Sequence, residues 1–205
     1  KRSTYFSIIH YPMKYIATTL FLFLTWNSFS QKVKVNTIII ESNFDSISMS
    51  KLNESSIILE KIINSEEFKT EVLKEKFRIG NNKLSSQEIY DLIITGKDNY
   101  KNKPSDYSID LRVKLFDEYA GSGNFGFTDM NTRITRTHRC YIIENDTKCY
   151  TSHLAHEYMH QIGFIDKRNI FLKKTNSVPY KIGRIIDKLI DNKSHCVAIK
   201  STCKN

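Results

Sequence analysis

Residues 153–166 read HLAHEYMHQIGFID, and they contain the most informative pattern in the chain. Each residue of a helix advances by ~100°, so His153, His156, Glu157 and His160 fall on one face of a helix formed by this stretch. The remaining arc is apolar and contains Leu154, Ala155, Tyr158, Met159 and Ile162. The stretch therefore predicts a helix that packs into the core on one side and presents polar groups on the other.

Two histidines four residues apart on a helix can each direct a ring nitrogen to one metal ion. His156 and His160 have this spacing, and Glu157 follows the first of them. Zinc binds imidazole nitrogen at ~2.0 to 2.1 Å and lowers the pKa of a bound water to ~7, so that a nearby glutamate can accept the water's proton. We predict His156 and His160 as ligands of one Zn²⁺ ion and Glu157 as the catalytic general base. A chance HExxH pattern on an amphipathic helix is the alternative.

The longer string HEYMHQIGFID, residues 156–166, resembles the extended motif of the metzincin clan of zinc metallopeptidases, HExxHxxGxxH or HExxHxxGxxD. The resemblance implies that Gly163 ends the helix and turns the chain, because glycine accepts positive φ without steric cost. It also implies that Asp166 is the third zinc ligand. An ordinary exposed acid at position 166 is one alternative, and the other candidate ligands are Asp187, Asp191 and His195.

Metzincins also have a methionine-containing turn beneath the metal, often followed by tyrosine. This chain has no methionine after Met159, and the comparable segment is NSVPYKIG, where residues 177–180 resemble the turn with Pro179 in place of methionine. The resemblance implies that Tyr180 hydrogen-bonds a reaction intermediate, with a packed structural role as the alternative. The chain also resembles secreted bacterial metallopeptidases in which a GFT-like strand precedes the zinc motif and SVPY follows it.

The resemblance implies an α+β fold of the metzincin type. We expect a twisted, mainly parallel sheet with an antiparallel edge strand, packed on helices, with the HExxH motif on the active-site helix and a small C-terminal subdomain. The implied activity is that of a zinc endopeptidase acting on a peptide or protein substrate. Two alternatives are a non-catalytic secreted protein that keeps the metal as a structural element and a zinc amidase acting on a non-peptide substrate of the cell envelope.

Hydrophobic periodicity indicates strands and helices mixed in one domain. The β-branched run at 33–40 and the alternation at 109–115 predict strands, whereas 50–77 has a helical pattern with a break near Asn64-Ser65. Ser85-Ser86-Gln87-Glu88 predicts the start of another helix that stops at Gly96. Residues 123–137 are a candidate for the edge strand that binds an extended peptide.

Two further local features lie near the histidine stretch. Residues 132–143, TRITRTHRCYII, predict a strand. Thr151 and Ser152 are candidate N-caps of the histidine helix.

The N-terminal residues have the pattern of a secretory signal peptide. Met13-Lys14 precedes an apolar run at 15–24 and small residues before Gln31. We predict residues 1–12 as an upstream extension, 13–30 as a Sec-type signal peptide cleaved after Ser30, and 31–205 as one metallopeptidase-like domain. An uncleaved anchor is the alternative, but the apolar run is shorter than the ~20 residues that span a bilayer. The expected location is therefore outside the cytoplasm, secreted or periplasmic, with no stable membrane anchor.

Export places the four cysteines in an oxidising compartment, which favours two disulfide bonds. We prefer pairing of sequence neighbours, Cys140 with Cys149 and Cys196 with Cys203. A zinc cluster of all four cysteines is disfavoured because close CxxC pairs are absent.

Charge argues against a nucleic-acid partner. Residues 1–30 contain three basic residues and no acidic one, so their removal lowers the net charge from +9 to +6. The lysines are scattered rather than gathered in a run or interleaved with aromatic residues, which is typical of a solvated surface.

We expect the protein to be a monomer.

Overall fold

The structure, a computed structural model, describes residues 32–40, 43–97, 105–117, 126–166 and 176–190. All of them belong to one compact unit, Lys32–Asn205. The elements in chain order are β1 (Lys34–Ile39), α1 (Ser46–Ile63), α2 (Glu66–Lys74), α3 (Ser86–Ile94), β2 (Ser108–Phe116), β3 (Gly126–Thr128), β4 (Thr135–His138), α4 (Arg139–Glu144), α5 (Thr147–Ile162) and α6 (Val178–Ile190). The predicted extension and signal peptide lie outside the described residues and stay predictions.

The described strands form a four-stranded mixed sheet in the order β1-β2-β4-β3. β2 pairs in parallel with both β1 and β4, whereas β3 is antiparallel to β4. The sheet packs against helices through a shared hydrophobic core that includes Leu111, Val113, Leu154 and Met159. The predicted α+β class, with a mainly parallel sheet and an antiparallel edge strand, is confirmed at this level.

Several helix and strand predictions are confirmed. Strands β1 and β2 cover most of the predicted runs, and the break at Asn64-Ser65 separates α1 from α2, because the Ser65 hydroxyl accepts a hydrogen bond from the Phe68 amide and caps α2. Helix α3 begins with a capping box in which Ser85 and Glu88 satisfy each other's backbone amides. Local sequence chemistry therefore determines these boundaries.

The prediction of a strand over 132–143 is wrong in its second half. Only Thr135–His138 is extended, and Arg139–Glu144 forms helix α4. The His138 ring accepts a hydrogen bond from the Cys140 amide at 3.2 Å and so caps the new helix. At the other end of that helix, the Lys51 ammonium group donates hydrogen bonds to the carbonyl oxygens of Ile142, Ile143 and Asn145.

The predicted cap of the histidine helix at Thr151 or Ser152 is also wrong. Helix α5 begins one turn earlier, and the Asp146 carboxylate accepts from the Cys149 amide at 2.8 Å. The Thr151 hydroxyl instead donates to the Thr147 carbonyl inside the helix at 2.8 Å.

Residues 177–180 do not form the separate turn that the sequence suggested. Val178, Pro179 and Tyr180 are the first turn of helix α6. Proline is tolerated there because the first amides of a helix have no intrahelical acceptor. Ser177, just before the helix, forms a backbone bridge with Ile79.

Helices α5 and α6 pack extensively against each other, and α5 also contacts α1 and strand β3. These contacts place the histidine helix between α6 on one side and the edge strand on the other. No helix in the described part of the chain is long and apolar enough to cross a membrane.

Substitution of Gly96 tests the link between α3 and β2. Gly96 has φ +66°, and an added Cβ would overlap the backbone of Ser108. We expect Gly96→Ala to lower the free energy of unfolding by more than about 2 kcal/mol, because it combines left-handed strain with a backbone clash. Urea denaturation measures the loss. The exposed Gln87→Ala substitution should change stability by no more than about 0.5 kcal/mol, and an equally small effect at Gly96 would contradict the account.

Candidate metal centre

Helix α5 ends where the sequence predicted. Gly163 caps it with φ 122°, and the amides of Gly163 and Phe164 both donate to the Met159 carbonyl, at 3.2 and 3.0 Å. This φ lies in the region that favours glycine. The turn reverses the chain within three residues and brings Asp166 back toward the histidines.

Three side chains converge at this end of the helix. His156 Nε2 lies 3.2 Å from His160 Nε2, and Asp166 Oδ2 lies 3.6 Å from the first of these nitrogens and 3.5 Å from the second. They form the group of potential metal ligands found among the described residues. The structure thus places the three predicted ligands together.

The spacing of these atoms fits zinc. A tetrahedral ion with bonds of ~2.0 to 2.1 Å holds its ligand atoms ~3.3 to 3.4 Å apart, and the three observed separations bracket this value. Two imidazole nitrogens and one carboxylate oxygen are also accepted zinc donors. A zinc ion held by these three side chains alone would have its fourth tetrahedral position open to water or substrate.

Outer hydrogen bonds orient two of the three ligands. His160 Nδ1 lies 2.7 Å from the Phe164 carbonyl oxygen, which can only accept, so Nδ1 carries the proton and Nε2 is the nitrogen available to a metal. The Ser177 hydroxyl donates to Asp166 Oδ1 at 2.7 Å and leaves Oδ2 facing the histidines. Such contacts fix ligand orientation before a metal binds.

The electrostatics of the group favour a cation. Burial alone would raise the pKa of Asp166, but hydrogen bonds with His156, His160 and Ser177 outweigh burial and hold that pKa well below its usual value. Burial alone would lower the pKa of His160, but the hydrogen bond with Asp166 and the charge of Glu157 raise it. The metal-free protein therefore holds an ionised carboxylate against the two imidazoles.

Glu157 is buried beside the three ligands rather than among them. Its Oε1 lies 4.0 Å from His156 Nε2, and its Oε2 accepts a hydrogen bond from the Thr128 hydroxyl at 2.7 Å. The side chain is almost inaccessible, with the residue 3% exposed. One carboxylate oxygen is thus fixed by the edge strand while the other faces the ligand group.

Tyr180 lies on the opposite side of the ligand group, at the start of α6. Its ring meets the His156 ring edge to face, with centroids 4.6 Å apart. This contact supports the orientation of His156, and the role of Tyr180 toward an intermediate stays a prediction. Both rings line an open cleft of about 540 Å³, and Glu157, His160 and Asp166 also contribute to its lining.

The other candidates for the third ligand are Asp187, Asp191 and His195. Asp187 lies in α6 and does not join the histidines, whereas Asp191 and His195 lie outside the described residues. Among the described acids, Asp166 is the one brought within 4 Å of both histidine Nε2 atoms.

The His153 side chain is mostly covered by its neighbours, with 8% of its surface exposed. Its ring lies between Tyr141 and Tyr150, at centroid distances of 5.2 and 6.0 Å, and its Nδ1 is 3.8 Å from Glu157 Oε1. Burial lowers its pKa to about 4. His153 is therefore a neutral neighbour of Glu157 near pH 7.

Two contributors to the site lie in segments that the sequence singled out, but their contacts with Glu157 and Asp166 were not predicted. Thr128 reaches Glu157 from β3, and Ser177 reaches Asp166 from the residue before α6. Thr128 belongs to the GFT stretch that the sequence reading placed near an edge strand, but its contact depends on strand register and helix packing.

Neither described cysteine is free. Cys140 lies in α4 and Cys149 in α5, and both have bonded partners. Cys196 and Cys203 lie outside the described residues, so the preferred disulfide pairing stays a prediction.

Comparisons of the chain with protein-family models, with curated proteins and with solved structures find no match.

Titration of His153 gives a test of its burial. The folded-state pKa of about 4 lies below the ordinary value of 6.5, so the unfolded chain binds more protons between these values and stability falls as pH drops from about 6.5 to about 4. The wild type should lose up to about 3 kcal/mol more unfolding free energy across this window than His153→Gln, which does not titrate. Urea denaturation at pH 7 and pH 4 measures both losses, and equal losses would contradict the burial of a neutral His153.

Proposed function

We propose that the protein is a zinc-dependent endopeptidase. The observation that carries the proposal is the triangle of His156 Nε2, His160 Nε2 and Asp166 Oδ2, at the separations expected for zinc, with the Glu157 carboxylate 4.0 Å away. A structural zinc site has four protein ligands and needs no buried glutamate beside them.

Each residue has a distinct role in the proposal. His156, His160 and Asp166 hold the ion, which would polarise a substrate carbonyl and lower the pKa of a water to ~7. Glu157 Oε1 accepts the proton of the attacking water and later passes it to the leaving amine. Tyr180 keeps His156 in place through its ring contact and faces the cleft where the substrate carbonyl would lie.

The position of strand β3 supports a peptide as substrate. Gly126, Phe127 and Thr128 all line the cleft, and β3 is the last strand of the described sheet, paired with β4 alone. An edge strand can bind an extended peptide through backbone hydrogen bonds. A chain bound along β3 would pass directly over Glu157 and the ligand group.

The proposal includes a metzincin-like fold and export. The support for the fold is the mainly parallel sheet with an antiparallel edge strand beside the HExxH helix, together with the glycine turn to Asp166. Pro179 departs from the clan pattern, since it opens helix α6 in place of a methionine turn. The support for export is the sequence pattern of residues 13–30.

Replacement of the general base tests the catalytic proposal. Glu157→Gln keeps the shape of the side chain but cannot accept a proton, so we expect unchanged zinc content and a loss of at least about 100-fold in kcat/KM. A peptide-library cleavage assay on residues 31–205 with one equivalent of zinc measures the loss. If zinc-loaded wild type cleaves no peptide that Glu157→Gln spares, the endopeptidase proposal is wrong.

Replacement of Asp166 and of Asp187 by asparagine tests which of the two acids is the third zinc ligand. Asp166→Asn removes the charge of the proposed ligand, whereas Asp187→Asn makes the same change in α6 away from the histidines. We expect zinc affinity, measured by competition with a chromophoric chelator, to fall at position 166 by more than the about 10- to 100-fold typical of an outer-shell partner. The Asp187 variant should bind zinc as the wild type does. A larger loss of zinc affinity in Asp187→Asn than in Asp166→Asn would identify Asp187 as the third ligand.

A further inference from the structure

A chain of hydrogen bonds ends at Glu157 Oε2, whereas the other carboxylate oxygen, Oε1, is the one near His156 Nε2. Gln161 Nε2 lies 3.0 Å from Thr135 Oγ1, which lies 2.8 Å from Thr128 Oγ1, which in turn lies 2.7 Å from Glu157 Oε2. All four residues are buried, the most exposed being Thr128 at 9%. The chain is therefore shielded from solvent that could replace its bonds.

The chemical groups at the two ends of this series of hydrogen bonds determine which group donates in each bond. An amide nitrogen can only donate, so Gln161 occupies a lone pair of Thr135 and leaves the Thr135 proton for Thr128. The Thr128 hydroxyl donates to Glu157, where its nearer acceptor is Oε2 at 2.7 Å and its farther one is the backbone carbonyl oxygen at 3.2 Å. The orientation of the Gln161 amide is supported by its second acceptor, the Arg112 carbonyl oxygen at 3.5 Å from the same nitrogen.

The fold brings the four residues together through two regular spacings. Glu157 and Gln161 are four residues apart on α5 and so share a face, and Thr128 is the register partner of Thr135 across β3 and β4. Arg133, in the loop between these strands, donates to the carbonyls of His160 and Gln161 at 3.1 and 2.8 Å. This contact anchors the hairpin to the end of the histidine helix.

The chain of hydrogen bonds holds one oxygen of the Glu157 carboxylate, and the other oxygen faces the cleft. Thr128 holds Oε2, and Oε1 lies between His153 Nδ1 at 3.8 Å and His156 Nε2 at 4.0 Å. Without the Thr128 hydroxyl the buried carboxylate would lose its closest described donor and could rotate away from the ligand nitrogens.

We propose that Thr128, supported by Thr135 and Gln161, is a positioning residue that fixes the Glu157 carboxylate with Oε1 toward the metal ligands. The inference rests on the proposed function, since it assigns Glu157 the role of general base. It adds that the edge strand positions the base as well as lining the cleft.

A hydroxyl deletion at Thr128 tests the inference. Thr128→Val keeps the shape of the side chain, so we expect zinc affinity and KM to stay within about threefold while kcat falls about 10- to 100-fold, the range for loss of one hydrogen bond to a charged group. Thr128→Ser retains the hydroxyl and should recover kcat to within about threefold. A crystal structure of metal-free Thr128→Val should show the Glu157 carboxylate rotated, with Oε1 no longer 4.0 Å from His156 Nε2.

Thr37→Val is the matched control. It removes a hydroxyl from β1 that contacts the Ser56 hydroxyl at 2.7 Å, and Thr37 does not line the cleft. The control should leave kcat unchanged. An equal fall of kcat in Thr37→Val and Thr128→Val would indicate a general loss of stability and would overturn the inference.

The remaining outcomes separate the inference from the proposed function. If Glu157→Gln is inactive while Thr128→Val has wild-type kcat, the inference is wrong and the proposed function stands. If the wild type cleaves no peptide, the proposed function fails, and the crystal structure then decides the inference. A Glu157 carboxylate that stays in place without the Thr128 hydroxyl would overturn it.

Discussion

The contact of Asp166 with both histidines is the interaction on which the rest of the site depends. Asp166 lies three residues beyond Gly163, and its Oδ2 reaches His156 and His160 only because the chain reverses at the positive φ of that glycine. The ionised carboxylate is stabilised by the imidazoles and by Ser177. The turn, the ligand group and the start of α6 are therefore one coupled unit.

The second constraint comes from the adjacent face of helix α5, which carries Glu157 and Gln161. The same helix that offers His156 and His160 to the cleft offers Glu157 and Gln161 to strands β3 and β4. The proposed base Glu157, held by the sheet, lies 4.0 Å from Nε2 of the proposed ligand His156. Catalytic geometry of this kind requires that neither side be free to move independently.

The sequence predicted the parts of the site that depend on local spacing. His156 and His160 share a face because they are four residues apart. The turn at Gly163 and the return of Asp166 were expectations from the resemblance to the metzincin motif. Contacts between distant elements, such as Thr128 with Glu157, require the register of β3 on β4 and could not be read from spacing. The β-branched residues after His138 favoured a strand, but the His138 cap and the Lys51 ammonium group stabilise a short helix there. Tertiary contacts thus overrode local propensity at this point.

Anomalous diffraction at the zinc edge, on crystals of the mature protein grown with one equivalent of zinc, would locate the metal. We expect one zinc ion bonded to His156 Nε2, His160 Nε2 and Asp166 Oδ2 at ~2.0 to 2.2 Å, with Glu157 outside the coordination sphere. A zinc ion bonded elsewhere, or bonded to the two histidines with Asp166 turned away, would contradict it.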